Sequence, residues 1–314
     1  MKKFIFRSVI FGIGLLGLAF FAEFVISKNL RKSTDIVFNG WNEIYSGNMQ
    51  SNVVIMGSSR ALYQYSPRIL DSVLNINSYN LGIIGSWIDR QIVKYDTYRR
   101  FNKKPDYIIQ NIDYTTINFS NGYIREQYFP YFFDDSLKTV MSNYEKFSFF
   151  EEHLPAYRYI GYTNLIKQAL GIEKLFGYNS LIKGYLGLNQ LWDGSELAKQ
   201  TEINYSGDRL ALLLFDKYLA KADSENIQVI FVYAPIYIGA TEKMKNIKGM
   251  YQMYDSIARK YNIPILDYNY DPICYDTTYF YNAMHLNKTG AELFTTKLAH
   301  DIDSLGIIKG SHAQ

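Results

Sequence analysis

The sequence feature that most constrains the fold is a series of five short apolar runs separated by longer amphipathic stretches. The runs occupy 53–56, 76–81, 106–112, 227–233 and 263–267. Apolar runs of this length, bounded by turn residues, are typical of buried strands, and the stretches between them are long enough to form helices. The alternation predicts the α/β class, with a parallel, doubly wound sheet and right-handed crossovers.

The segments between the runs predict helices and one insertion. We expect helices opened by Ser66 with Pro67 in the first turn, over 87–101, and over 288–305. The interval 114–208 is too long for a plain connection, and we interpret it as a partly helical insertion. It contains many of the 29 Tyr and 20 Phe of the chain, which could pack its core, line a cleft for sugar rings or face a membrane.

The N-terminal segment 4–26 is strongly apolar and carries no charge from 9 to 22. About 18 residues can just cross the hydrocarbon of a bilayer, so a signal anchor, a cleaved signal peptide and a buried core helix are all compatible with it. Basic residues flank it equally on both sides, so charge counting does not set the orientation. We expect 1–35 to form a membrane anchor and linker, and 36–314 to form an extracytoplasmic catalytic-type domain.

Composition excludes several classes of protein. Of 314 residues, 48% are hydrophobic, which is too many for a disordered chain. The single cysteine, Cys274, permits neither an intramolecular disulfide nor a zinc cluster. The formal net charge is +3, from 33 basic and 30 acidic residues, and so nucleic acid is not an expected partner.

Residues with chemical potential follow the predicted strands, where ligands bind in open α/β sheets. These segments are Gly57-Ser58-Ser59-Arg60, 80–86, Asp113-Tyr114-Thr115 and 282–291. Together they supply hydroxyl groups, glycine N–H donors and an imidazole. A serine nucleophile, a base and oxyanion donors are the parts that acyl transfer needs.

Four motifs in this order resemble the SGNH (GDSL-type) hydrolase superfamily, and within it the membrane-anchored branch that includes the lipoteichoic-acid D-alanylation protein and the alginate-type O-acetyltransferases. Gly57-Ser58-Ser59 stands where the family has Gly-Asp-Ser, and Asn80-x-x-Ile83-x-Gly85 matches its second block. Asn282-x-x-His285-Leu-Asn matches its Asp-x-x-His-Leu-Asn. The resemblance covers about 50–115 and 225–305 and implies a flavodoxin-like three-layer sandwich with a five-stranded parallel sheet.

The resemblance also implies roles for individual residues. Ser59 would be the nucleophile, with Ser58 as the alternative, and His285 would be the base. The backbone N–H groups of Gly85 and Ser59 would hold the oxyanion. From the residues alone, the serines could instead cap a helix, Gly85 could be a turn glycine, and His285 could be a surface residue.

Two motifs depart from the family pattern. In the third block, Thr115 lies nearest to the expected asparagine, and Asp113 is an alternative functional residue there. Asn282 replaces the acidic partner of the histidine. An amide oxygen can accept the Nδ1 proton, as in Cys-His-Asn sites, but Asp276 or Asp267 could also orient the ring.

The function implied by the resemblance is removal or transfer of a short acyl group, expected to be acetyl, on a hydroxyl of a cell-surface glycan. Membrane-anchored members of the family work beside a membrane-bound O-acyltransferase, and no organic cofactor or metal is implied. Two alternatives remain open at this point. One is a catalytically silent protein that binds glycan or scaffolds an envelope polysaccharide complex, and the other is a soluble cytosolic hydrolase with its N-terminal segment in the core.

Overall fold

A computed structural model describes residues 1–119, 124–142, 146–172, 181–195, 197, 203–204 and 207–308. The insertion predicted at 114–208 therefore falls partly outside the described residues. The chain divides into two compact units. Unit 1 contains 1–43 and 124–181, and unit 2 contains 44–123 and 182–314.

The bounds of the elements follow chain order. The helices are α1 Lys2–Leu30, α2 Ile36–Ser46, α3 Ser59–Gln64, α4 Pro67–Leu74, α5 Ile88–Phe101, α6 Asp135–Met141, α7 Phe149–His153, α8 Thr163–Ala169, α9 Arg209–Ser224, α10 Ile238–Thr241, α11 Ile247–Tyr261 and α12 Lys288–Ser304. The strands are β1 Val53–Met56, β2 Ser78–Asn80, β3 Tyr107–Asn111, β4 Ile203–Asn204, β5 Gln228–Tyr233, β6 Met244–Lys245, β7 Ile265–Asp267, β8 Phe280–Asn282 and β9 His285–Leu286.

Unit 2 is built on a five-stranded sheet in the order β2-β1-β3-β5-β7. Every neighbouring pair in this sheet is parallel. Numbered along the chain, the five strands have the order 2-1-3-4-5, which is the flavodoxin-like arrangement. All five predicted strands are present and the predicted α/β fold class is confirmed.

Helices cover both faces of this sheet, which makes it the middle of three layers. On one face, α12 contacts both α3 and α4, and Val53 and Ile55 join the same buried cluster as Phe294 of α12. On the other face, Phe231 of β5 contacts the rings of Phe215 in α9 and Tyr254 in α11. Side chains that alternate along a strand point to opposite faces, so each strand contributes to two cores.

Gly57 explains why a helix can begin immediately after β1. Its φ is +152°, and a Cβ at this position would lie 2.8 Å from the Cβ of Ala61 and 3.0 Å from the Cβ of Asn111. Only glycine combines this backbone conformation with so close an approach of α3 and β3. The helix predicted to open at Ser66 is confirmed as α4, with Ser66 as its N-cap and Pro67 at its first position. The short helix α3, which precedes it, was not predicted from the sequence.

Unit 1 combines the N-terminal helix with the part of the insertion at 124–181. Among the described residues, α1 is the one helix long and apolar enough to span a membrane. The helix runs to Leu30, so the polar stretch predicted as a linker from Ser27 begins in its last turn. Ser27 donates or accepts a hydrogen bond with the Tyr159 hydroxyl at 2.8 Å, and Asn29 donates one to the carbonyl of Ala169 at 2.9 Å.

The first 18 residues of the chain are exposed in unit 1. This exposure does not fit the interpretation of the segment as a buried core helix, on which the soluble cytosolic hydrolase depended. A signal anchor and a signal peptide both remain compatible with α1.

Candidate active site

The sequence left open whether the two candidate serines cap a helix or act as a nucleophile, and the structure gives the two serines different contacts. Ser58 is the N-cap of α3, and its hydroxyl accepts a long hydrogen bond of 3.4 Å from the backbone N–H of Arg60. Ser59 is the first residue of α3, and its Oγ lies 2.8 Å from Nε2 of His285. Ser58 is buried and Ser59 is half-buried. The helix cap and the contact with the imidazole therefore belong to different residues.

His285 is placed by a short antiparallel hairpin that leads into α12. Strands β8 and β9 pair with Asn282 opposite His285. Asn287 then caps α12 by accepting a hydrogen bond from Gly290 N–H at 3.0 Å, and it also donates one to the carbonyl of Thr278 at 2.7 Å. This cap fixes the chain just after the histidine.

Asn282 determines which nitrogen of the His285 ring carries the proton. The Oδ1 atom of Asn282 accepts hydrogen bonds from the backbone N–H groups of Met284 at 2.9 Å and His285 at 3.0 Å. These two donors identify the atom as the amide oxygen, so Nδ1 of His285, also 3.0 Å from it, must donate. The Nε2 atom then has a free lone pair and accepts the proton of the Ser59 hydroxyl.

The environment of His285 favours this neutral ring. Burial, and to a smaller extent the positive charge of Arg60, lowers the pKa of His285 from 6.5 to about 3. The ring of Tyr63 packs edge-on against the imidazole, with centroids 5.4 Å apart. A neutral imidazole oriented by an acceptor on Nδ1 is the form that can act as a general base toward a hydroxyl.

Candidate donors for an oxyanion are present at two places. The backbone N–H of Ser59 has no intrahelical partner because the residue opens α3. Gly85 lies in an exposed turn at φ +60°. The loop that carries Gly85 lies beside the serine segment, since Ile83 N–H donates to the carbonyl of Gly57 at 3.2 Å.

Asn80 and Gly82 hold this second loop against α3. The side chain of Asn80 donates to the carbonyls of Ala61 at 2.7 Å and Tyr65 at 3.0 Å, and its Oδ1 accepts from Gly82 N–H at 2.9 Å. A Cβ on Gly82 would lie 2.4 Å from the backbone nitrogen of Leu62. The second motif thus positions the loop by close backbone contact.

The third motif forms a buried polar cluster around Asp113. Its carboxylate accepts hydrogen bonds from the Asn111 amide at 2.8 Å, from Thr115 N–H at 2.8 Å and from the Thr115 hydroxyl at 2.5 Å. Arg60 lies 3.5 Å away and forms an ion pair with it, and also donates to the carbonyl of Ala234. The oxyanion role of Thr115 stays a prediction, but its hydroxyl proton is donated to Asp113.

The remaining acidic candidates bind other partners. Asp276 is exposed and accepts hydrogen bonds from the N–H and hydroxyl of Thr278, at 2.9 and 2.7 Å. Asp267 accepts from the backbone and side-chain amides of Asn269. The acceptor at Nδ1 of His285 is therefore Asn282, and neither aspartate occupies that position.

Sequence reasoning missed Tyr63 as a neighbour of the site. It lies four residues after Ser59 in α3, and residues at this spacing share one face of a helix. The signal was present, but it could be used only once the start of α3 at Ser59 was known. Within the described part of the chain, no three His, Cys, Asp or Glu side chains are grouped closely enough to hold a metal ion.

Comparisons with known proteins give only distant structural similarity. No family model and no curated protein matches the sequence. The chain is similar to a protein of the G-D-S-L lipolytic family from Desulfitobacterium hafniense DCB-2, with a TM-score of 0.39 and 14% identity over 81% of this chain and 99% of that one.

Two further solved structures show similarity at a comparable level. One is an acylhydrolase from Bacteroides fragilis NCTC 9343, with a TM-score of 0.34 and 12% identity over 79% of this chain and 86% of that one. The other is an acetyl xylan esterase from the rumen bacterium Butyrivibrio proteoclasticus, with a TM-score of 0.34 and 9% identity over 82% and 64%. Similarity this distant is too low to transfer an activity to this chain.

Proposed function

We propose that this protein is a serine esterase or O-acyltransferase of the SGNH hydrolase type, which acts on short acyl groups carried by hydroxyls. The observation that carries the proposal is the hydrogen-bonded series from Ser59 Oγ to His285 Nε2, and from His285 Nδ1 to Asn282 Oδ1. A nucleophile, a base within 3 Å and a group that orients the base form the constellation of covalent acyl transfer.

In the proposed reaction, Ser59 Oγ attacks the acyl carbonyl while His285 Nε2 takes its proton. The N–H groups of Ser59 and Gly85 stabilise the negative charge that develops on the carbonyl oxygen. His285 then returns the proton to the leaving alkoxide, which leaves an acyl group on Ser59. Water completes hydrolysis, or a second hydroxyl completes transfer.

The geometry favours catalysis over the alternative of a silent binding protein. A silent site would tolerate a wide separation of the serine from the imidazole, whereas the two atoms are 2.8 Å apart. Asn282 stands where the family has an acidic residue. Its Oδ1 atom still accepts a hydrogen bond from Nδ1 of His285, so the contact that orients the ring is kept.

We propose a sugar as the carrier of the acyl group. Trp87 precedes α5 after the second motif, Tyr114 follows Asp113 in the third, and their rings pack edge to face at 5.5 Å. Both residues lie beyond the carboxyl ends of their strands, on the edge where the sheet carries Ser59. Aromatic rings at this edge can stack against the apolar face of a sugar ring, which supports a sugar as the carrier.

We also propose that α1 anchors the protein in a membrane with the globular part outside the cytoplasm, beside a membrane-bound O-acyltransferase. The exposed apolar surface of α1 supports anchoring. The orientation rests on the interpretation of α1 as an export signal, and the partner rests on the family resemblance alone.

The experiment that tests the proposed chemistry measures release of acetate from p-nitrophenyl acetate and from acetylated glucose. The full chain is compared with Ser59→Ala and Ser58→Ala. We expect Ser59→Ala to lose activity on both esters, and Ser58→Ala to retain activity with reduced stability. Activity that survives Ser59→Ala but disappears in Ser58→Ala would assign the nucleophile to Ser58, and equal activity in all three proteins would refute a serine nucleophile at this site.

A further inference from the structure

Unit 1 exposes a group of large apolar side chains that neither the core nor the proposed reaction uses. Five of them lie close together in sequence, and we refer to them as the apolar rim. The apolar rim consists of Phe149, Phe150, Leu154, Tyr157 and Ile160, which are 37 to 69% exposed. Exposure of so many large apolar groups over twelve residues marks an interaction surface.

The position of the rim is defined by its contacts with α1. Glu23 of α1 accepts a hydrogen bond from Ala156 N–H at 2.7 Å and forms an ion pair with Arg158. Both partners lie among the rim residues in sequence. The segment that carries the rim therefore lies beside α1 at the level of Glu23.

Glu23 is also the first charged residue after the uncharged stretch 9–22 of α1. From Phe4 to Glu23 the helix is about 28 Å long, close to the ~30 Å hydrocarbon thickness of a bilayer. Beyond Glu23 the helix begins to be buried within unit 1, at Ile26, Ser27 and Leu30. If α1 spans a membrane, the rim lies where the helix leaves the hydrocarbon.

Helix α7 separates its apolar side from its acidic side. Ser148 and Glu151 form a capping box that fixes the helix, and Glu151 also forms an ion pair with Arg125. Phe149 and Phe150 remain exposed, and the ring of Phe150 contacts that of Tyr157 at 5.5 Å. Glu151 is thus held by protein partners, and the exposed Glu152 follows Phe150 by two residues, which places it on the opposite side of the helix from Phe150.

Basic side chains accompany exposed aromatic rings at the same end of α1. The Lys28 ammonium lies 5.2 Å from the ring centre of Phe24, and the Arg31 guanidinium lies 5.1 Å from that of Phe133. Aromatic rings with Lys and Arg beside them are typical of the interface between lipid and water.

We propose that the apolar rim inserts into the boundary between the headgroups and acyl chains of the bilayer that α1 spans. The occupant of this surface is lipid, because the rim continues the apolar surface of α1 at the level where its hydrocarbon-length segment ends. Unit 1 would then sit partly within the interface rather than on a flexible tether. This inference rests on the proposed anchoring by α1 and is independent of the proposed reaction.

The test uses an environment-sensitive NBD fluorophore on single cysteines of the full chain in lipid nanodiscs. Cys274 is buried, and Cys274→Ala gives the background. Labels at Phe150→Cys and Ile160→Cys report on the rim, and a label at Leu16→Cys reports on the apolar part of α1. Leu210→Cys is the matched control, since Leu210 is 55% exposed at the start of α9 in unit 2.

The expected result is emission at shorter wavelength for both rim labels than for Leu210→Cys. Lipids with a nitroxide near the headgroup should quench most of the rim fluorescence, and lipids with a nitroxide near the bilayer centre should quench Leu16→Cys more strongly. The proposal would be overturned if the rim labels emitted at the same wavelength as the Leu210→Cys label. It would also be overturned if they emitted at shorter wavelength but were not quenched by nitroxide lipids. Leu16→Cys without lipid quenching would instead refute the anchor itself.

Discussion

The Nδ1 atom of His285 donates a hydrogen bond to the side-chain oxygen of Asn282 across 3.0 Å. Two backbone N–H groups bind the same oxygen, so the amide cannot reverse its orientation without losing both. This contact is the basis of the first prediction. Asn282→Leu removes the acceptor and leaves the ring free to adopt the tautomer that cannot accept from Ser59.

We expect Asn282→Leu to lower kcat by up to about 10⁴-fold, the cost of the wrong tautomer in a comparable triad. The measurement is ester hydrolysis together with thermal unfolding of both proteins. Loss of activity in a protein that remains folded supports the orienting role. Full activity in Asn282→Leu would show that another group orients the ring.

The second prediction concerns pH. Burial first, and then Arg60, lower the pKa of His285 from 6.5 to about 3. The neutral ring is the base, so kcat/KM falls as the pH drops through that pKa, and the midpoint of the acid limb should lie well below pH 6.5.

Asn282→Asp provides the matched comparison for the pH profile. A carboxylate at Nδ1 favours the protonated imidazole and raises the pKa of His285. The acid limb should therefore move to higher pH while the activity at neutral pH is retained. Identical acid limbs in the two proteins would mean that the limb reports a group other than His285.

The third prediction concerns the stability of the buried cluster below the site. Asp113→Ala leaves the buried Arg60 guanidinium without its ion-pair partner, which costs about 3–5 kcal/mol. Urea unfolding of the full chain measures this loss. Asp303→Ala is the control, because Asp303 is exposed in the last turn of α12 and should change stability by less than about 0.5 kcal/mol.

The fourth prediction compares the effect on stability of Gly→Ala at Gly82, in the second loop, and at Gly249, in α11. A Cβ on Gly82 would meet the backbone of Leu62, so Gly82→Ala must displace the second loop from α3, at a cost of about 1–3 kcal/mol. Gly249 in α11 is exposed with open space around it, and Gly249→Ala should stabilise the protein by about 0.5–1 kcal/mol. Equal unfolding free energies for the two variants would contradict the close approach at Gly82.

The sheet could be predicted from the sequence because most of its strands are local apolar runs, although β2 is the polar sequence Ser78-Tyr79-Asn80. Val53 to Met56 and Gln228 to Tyr233 are buried along nearly their whole length, so composition alone identifies them. The positions of the serine and histidine after strands and before a helix made them candidates, and the family resemblance implied their roles.

The parts that could not be predicted depend on contacts between distant residues. Whether Asn282, Asp276 or Asp267 binds Nδ1 of His285 depends on a two-residue turn in the β8–β9 hairpin, whose strands carry no apolar pattern. The contact of Glu23 with Arg158 joins residues 135 positions apart. No periodicity in 124–172 indicates that this part of the chain packs on α1.

The most direct test of the central claim is the mass-spectrometric location of a fluorophosphonate adduct on the full chain. The account predicts one adduct, on the peptide that contains Ser59, absent from Ser59→Ala and slowed in His285→Ala because the hydroxyl loses its base. An intact chain that reacts at another serine, or that forms no adduct while Ser59 and His285 remain within hydrogen-bond distance, would contradict it.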